Sequence, residues 1–370
     1  MARCRRHGAI AQQQRQHHGR RGDLQHRHLL VRAGIRRIDD QNFYHELSAM
    51  KIRRTFRAQT GMSLVEIMVA LTLSLILVAG VGQIYVSSRQ TYRMQDAQAR
   101  LQENARFALE LLAHDIRLAG YLGCGNSAAT TPTPAANAPA VIPSATVAVI
   151  SGGNDNTGAF NDPDPALANP LSTGVISGTD AMTVLFGEYC GGTTTANVST
   201  VNPSGALAAG NTCGIVLGTT PLAIADCSAT HIFTADGAAT PLGYTYAPGS
   251  EIMLYRSYTY YVRQNPGGQP ALYRYDNIGA DDELVEGVEN MQITYGIDSD
   301  GDGSANQYLT ADNIADWRQV VSIRFVLTFR TTEDNLTSSP RTYTFDGAPV
   351  TDHRLSRTYA STIALRNRLP

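Results

Sequence analysis

Between Gly61 and Pro370 the sequence has no Gly-x-Ser-x-Gly, no phosphate-binding Gly-x-x-x-x-Gly-Lys, no His-Glu-x-x-His and no dinucleotide fingerprint. Histidine is scarce there as well: only His114, His231 and His353 occur, far apart in sequence. These gaps remove the common hydrolase, nucleotide and zinc-protease chemistries, so the chain reads as a structural protein and not an enzyme. Net charge is lacking too, with a formal value of -2 over 370 residues. No basic excess points to nucleic acid, and no acidic excess points to disorder. Cys-x-x-Cys pairs are absent, which makes zinc a poor reason for the cysteines that are present.

What is present is unevenly distributed. Residues 1–49 hold His7, His17, His18, His26, His28 and His45 together with many arginines and little hydrophobic periodicity. That composition could serve a metal- or nucleic-acid-binding arm, but it fits a start site assigned too far upstream better. The reason is that Met50-Lys51 opens a targeting segment that such an arm would bury.

The segment from Met50 decides the class. Lys51, Arg53, Arg54 and Arg57 precede an apolar run, and no charged residue occurs from Ile67 to Ser88. About 20 apolar residues span a bilayer, and the positive-inside bias keeps the basic end cytoplasmic. A secretory signal peptide has the same order but is cut after its apolar run; here the run continues past Ala79-Gly80 into a second helical pattern. Glu66 stands inside the apolar segment, where an unpaired charge costs several kcal/mol. Cleavage between Gly61 and Met62 would create a free α-amine one helical turn before Glu66, which gives the carboxylate a partner.

Beyond the run, Met94, Ala97, Leu101, Ala105, Ala108, Leu112 and Ile116 recur every three or four residues and mark one apolar face of a helix that ends near Gly120. A stretch rich in proline, alanine and asparagine follows to about Gly178 and reads as extended loop with a short strand at Thr146 to Ile150. Strand signals then appear at Met182 to Phe186, Gly214 to Leu217, Glu251 to Arg263, Ala271 to Tyr275, Val288 to Gly296, Val320 to Arg330 and Thr358 to Leu365. Asn265-Pro266-Gly267-Gly268 reads as a hairpin turn. The expected fold is α+β, a long N-terminal helix packed on an antiparallel sheet.

Cys124, Cys190, Cys213 and Cys227 are expected to form two disulfides in an oxidising compartment. Three connectivities are open, and proximity in sequence favours Cys124 with Cys190 and Cys213 with Cys227. Asp298, Asp300, Asp302, Ser304 and Asn306 set oxygen ligands at alternate positions, with Gly303 for a sharp turn. This is how a short loop wraps Ca²⁺. The twelfth position is Leu309 instead of glutamate, so water or a carboxylate such as Asp312 or Asp316 would have to complete the shell.

Gly61 followed by Met-Ser-Leu-Val-Glu resembles the signal of type IV prepilins and type II secretion pseudopilins. LAHDIRLAGYLGCG, LVEGVENMQITYGIDSDGDG, ADWRQVVSIRFVLTFRT and the ending RTYASTIALRNRLP resemble the PilW-like minor pilins. The resemblance implies a leader at 50–61, a transmembrane half-helix at 62–88, a periplasmic half at 89–120 and a head at 121–370. It also implies processing by a prepilin peptidase with N-terminal methylation, and a docking role for Glu66. The implied location is the inner membrane with the head in the periplasm, then the pilus on the cell surface. Implied partners are other minor pilins, the major pilin and a tip adhesin, with roles in pilus assembly, adhesion and twitching motility. The same order of elements resembles the J-type pseudopilin, and a membrane-anchored periplasmic binding domain is a further reading.

Overall fold

The computed structural model describes residues 61–123, 125–126, 133–136, 149–156, 174–201, 220–234, 240–276 and 281–368. The extension 1–49 and the leader up to residue 60 lie outside them, as does the strand expected at Gly214 to Leu217. The chain divides into two units, Met1–Ser74 and Leu75–Pro370, and the boundary falls within a single helix.

That helix, α1, runs from Leu64 to Leu118. Ser63 starts it: the Glu66 N–H donates to the Ser63 hydroxyl at 3.2 Å and to its carbonyl at 3.1 Å. Ser63-x-x-Glu66 has the spacing of a capping box, and the carboxylate sits in the first turn, where the helix dipole favours negative charge. Every residue from Gly61 to Asp96 is exposed, the apolar run included. Within that run Thr72 and Ser74 return their hydroxyls to the carbonyls of Val69 and Ala70. Such internal bonding is what a polar side chain needs in a medium without water.

From Ala97 onward the helix has an inside. Ala97, Leu101, Ala105, Ala108, Leu112 and Ile116 are buried, so of the seven stripe residues only Met94 stays exposed. Arg100 and Asp96 pair at 3.1 Å on the outer surface. Gly120 closes the helix in the left-handed region (φ 76°), as a C-terminal glycine does. The last carbonyls of the helix are met from the far end of the chain, where the Asn367 amide donates to Arg117, Leu118 and Ala119.

The strands are, in chain order, β1 (Tyr121–Leu122), β2 (Gly125–Asn126), β3 (Thr133–Pro134), β4 (Ile150–Asn156), β5 (Thr179–Thr193), β6 (Val198–Val201), β7 (Pro221–Ala225), β8 (Thr230–Thr234) and β9 (Thr240–Tyr246). They continue as β10 (Glu251–Gln264), β11 (Pro270–Asp276), β12 (Asp281–Glu286), β13 (Val288–Ile297), β14 (Gln307–Leu309), β15 (Val320–Arg330), β16 (Arg341–Phe345), β17 (Ala348–Asp352) and β18 (Ser356–Ala364). One sheet has the order β12-β11-β10-β7-β8-β3, with β5 also pairing β10 and β4 pairing β5; a second has the order β14-β13-β15-β18. All pairings in both are antiparallel except β3 with β8. One core joins both sheets to the helix, with Leu101, Leu112 and Ile116 meeting Met182, Val184 and Tyr260 from the first and Ile293, Phe325 and Leu327 from the second.

Two buried carboxylates tie these layers together. Asp115 lies within the buried face of α1, 6% exposed, and accepts the Tyr260 hydroxyl from β10 and His114 Nδ1 at 2.8 Å. Burial and the Asp115 charge push the Tyr260 hydroxyl well above its ordinary range, so it stays a donor. Asp180, at the start of β5, accepts the backbone N–H of Asp155 at 2.8 Å and of Ile293 at 2.6 Å, which pins β4 and β13 to β5.

Two outcomes follow for stability. Leu112→Ala removes a fully buried side chain at the centre of the shared core and should cost about 2–5 kcal/mol in chemical denaturation. Burial raises Asp180 to about 6 from 3.8. A group raised on folding stabilises where it is protonated, so its contribution is complete below its unfolded value and is lost as pH rises through about 6. Denaturation midpoints measured across that window should fall with rising pH, and Asp180→Asn should flatten that slope.

Candidate functional site

Gly61, Met62 and Ser63 precede the helix in non-helical backbone and are exposed. A Cβ at Gly61 would meet nothing within 4 Å, and its backbone is not in the left-handed region. The fold therefore sets no demand for glycine at this position. A need for a small residue there has to come from whatever reads the segment. Glu66 is exposed, one turn into an apolar surface made of Leu64, Val65, Ile67, Met68 and Val69.

The aspartate loop connects β13 to β14, and its base is fixed by backbone bonds from Asn306 to Ile297 and from Asp298 to Gln319, both at 2.9 Å. It brings oxygens of Asp298, Asp300 and Asp302 within 4.8 Å of one another. Asp298 organises the turn by accepting N–H groups of Gly301 at 2.6 Å and Gly303 at 2.8 Å. Those bonds, the one from Gly303 foremost, hold its carboxyl below the usual range. Gly301 and Gly303 both have positive φ, which only glycine takes without strain.

The other expected ligands are placed differently. Asn306 gives its side-chain oxygen to the Ser299 N–H at 2.7 Å and turns its amide nitrogen toward Asp300 at 3.2 Å, so it offers the cluster a donor. Ser304 donates its N–H to Asp302. Asp312 accepts from Asn154, and Asp316 caps a short turn and pairs with Arg318 at 2.9 Å, so neither joins the three aspartates. The set that fits a hard cation is thus three carboxylates, two of them exposed, with water left to fill the rest of the shell.

Cys227 is disulfide-bonded. It sits in the tight turn between β7 and β8, where Asp226 accepts the N–H groups of Ser228 and Ala229 at 2.8 Å each. Cys190 falls in β5, while Cys124 and Cys213 lie outside the described residues, and so does the connectivity. The three histidines each keep different company: His114 with Asp115, His231 with the Tyr246 hydroxyl at 2.6 Å, and His353 with the Thr337 carbonyl at 2.8 Å. A groove of about 570 Å³ beside α1 is lined mainly by Phe107, Leu111, Leu118, Phe186 and Tyr258. Its one deeply buried carboxylate, Asp115, is engaged by Tyr260.

A capped apolar helix with an exposed carboxylate in its first turn, continuing into the core of an antiparallel head, is the expected α+β arrangement of a long N-terminal helix packed on a sheet. Residues 56–82 match the model of the prokaryotic N-terminal methylation motif, and residues 259–367 match that of the type IV pilus-assembly protein W. The second match covers β10 from Thr259 onward, the hairpin to β11, β12, the whole β14-β13-β15-β18 sheet with its aspartate loop, and the final turn. No curated protein and no solved structure matches the chain. Together the two family matches support a PilW-like minor pilin of type IV pili.

Proposed function

We propose that the protein acts in the assembly or priming of a type IV pilus, after a prepilin peptidase cuts between Gly61 and Met62. The observation that carries this reading is the placement of Gly61 and Met62 directly before an exposed apolar helix, with Glu66 in its first turn. In the membrane the basic residues Lys51 to Arg57 stay on the cytoplasmic side and the head stands in the periplasm. Glu66 is then a carboxylate in a low-dielectric medium and draws a cationic partner strongly. The α-amine freed at Met62 supplies one within its own chain or on the neighbouring subunit it docks against. Other minor pilins and the major pilin are the partners this mechanism requires. Methylation of that amine keeps its charge and so preserves the pairing.

Because Gly61 is open in the fold, Gly61→Ala should leave both folding and cutting largely intact, whereas Gly61→Trp should fold and remain uncut. Co-expression with a prepilin peptidase followed by N-terminal sequencing should return Met62 as the first residue. A mature N-terminus beyond Ala79 would instead mean an ordinary signal peptide.

The convergence of Asp298, Asp300 and Asp302 favours a second element of function, calcium binding at this loop. Three like charges this close raise one another's cost unless a cation neutralises them. Calcium tolerates a shell completed by water, while magnesium demands tight octahedral geometry. Bound calcium should stabilise the folded protein by an amount that rises with concentration, about 2.7 kcal/mol at a hundred times the dissociation constant. Thermal melting of the full chain in detergent, with chelator and then with calcium in the millimolar range that suits weak extracellular sites, should show an upward shift. The Asp300→Ala, Asp302→Ala double variant should lose it. An equal shift in that variant would leave these carboxylates as solvated turn residues.

A further inference from the structure

The sheet β14-β13-β15-β18 has two edges, and they are treated differently. On the β13 side, β14 pairs Tyr295 to Ile297, the Ile293 N–H is taken by Asp180, and the Gln292 side chain reaches the Gly178 carbonyl. On the other side β18 is outermost, and among the described residues no strand lies beyond it.

Which backbone groups β18 leaves open follows from bonds at its two ends. Leu365 N–H donates to the Val321 carbonyl at 2.8 Å, and Thr331 N–H donates to the Leu355 carbonyl at 2.9 Å. Both pairs belong to the same antiparallel register, which runs without a bulge from Ser322↔Ala364 to Arg330↔Ser356. Bonded and non-bonded pairs alternate in such a ladder. Arg357, Tyr359, Ser361 and Ile363 therefore bond to β15. Ser356, Thr358, Ala360, Thr362 and Ala364 turn their N–H and C=O groups outward, over about 27 Å of strand at 3.4 Å per residue. Thr358, Ala360, Thr362 and Ala364 are also exposed in their side chains. Natural edges are usually blunted by proline, bulges or inward-pointing charge, and β18 has neither proline nor bulge.

Charge says what would cover this edge. From His353 to Pro370 the sequence contains Arg354, Arg357, Arg366 and Arg368 and no aspartate or glutamate. Arg357 and Arg366 are exposed, as is Arg324 on β15 beside Thr362, and none of the three makes an ion pair among the described residues. A second copy of β18 would bring arginines to arginines with no counter-charge, which disfavours self-pairing.

We propose that β18 is a strand-addition site that receives an extended, acidic segment of another protein chain, bonded through the open groups of Ser356 to Ala364 and steered by Arg357, Arg366 and Arg324. Main-chain bonds supply the affinity in this mode, and the flanking charges select the partner. The site depends on neither the cleavage at Gly61 nor calcium.

The test uses the full chain in detergent micelles and a synthetic peptide of alternating threonine and valine with glutamates at both ends. A control peptide carries lysines in their place. Amide hydrogen exchange of the free protein should alternate along β18, fast at Thr358, Ala360, Thr362 and Ala364 and slow at Arg357, Tyr359, Ser361 and Ile363. Millimolar glutamate-ended peptide should slow the fast set by about tenfold or more, and the lysine-ended peptide should not. Ala360→Pro removes one outward N–H without touching the β15 ladder, so the variant should stay folded and lose the protection. Arg357→Glu combined with Arg366→Glu should exchange the preference between the two peptides. Absence of protection by either peptide, protection that survives Ala360→Pro, or protection that grows with protein concentration alone would overturn the proposal, the last in favour of a second copy.

Discussion

One helix has to satisfy two different surroundings, and that constraint organises the rest of the molecule. Its first part is exposed from Gly61 to Asp96 and carries no charge from Ile67 to Ser88; its last part buries a single stripe from Ala97 to Ile116 in the head. The change in pattern falls where the charges begin again, at Arg89. A uniformly apolar surface suits lipid, and a one-sided stripe suits a core with water behind it. Alanines at 105 and 108 keep the buried face shallow, so that both sheets reach the same helix. Asp115 then fixes the fit by holding Tyr260 of β10, a pairing that is costly to break because the carboxylate is buried.

The parts of this design governed by local period were legible in the sequence. The α1 stripe, the glycine at its end, the Asn265 to Gly268 turn and the strands β10, β11, β13 and β15 follow from spacing that any packed face must show. The expected strand at Met182 to Phe186 is the centre of the longer β5. The short hairpin of β16 and β17 was missed because its strands alternate intermediate and exposed residues without a strong apolar face. β7 was missed as well, since Pro221 to Ala225 is alanine-rich and carries no β-branched run.

Site geometry was less legible than site composition. Three aspartates at alternate positions announced a loop that gathers carboxylates, and the structure gathers them. The orientation of Asn306 depends on Ser299 seven residues earlier, a contact that ligand spacing does not encode. The burial of Asp115 and Asp180 was likewise invisible, because each is decided by partners far away in sequence, Tyr260 and Ile293. The open edge of β18 is a property of sheet order and appears only when the strands are assembled.

The role proposed for Glu66 is docking into a filament, not the fold of its own chain. Glu66 is exposed and contributes only a first-turn carboxylate to a helix that Ser63 already caps, so replacing it should change stability by no more than the 0.3–1 kcal/mol of a helix-dipole contact, or about that. The most direct measurement is the amount of this protein in pili sheared from cells that express either the native chain or Glu66→Ala, with cleavage after Gly61 and total protein checked in both. The account predicts equal processing, equal abundance in the membrane, and loss of the variant from the sheared filaments. Equal amounts of native and variant protein in the filaments would contradict it.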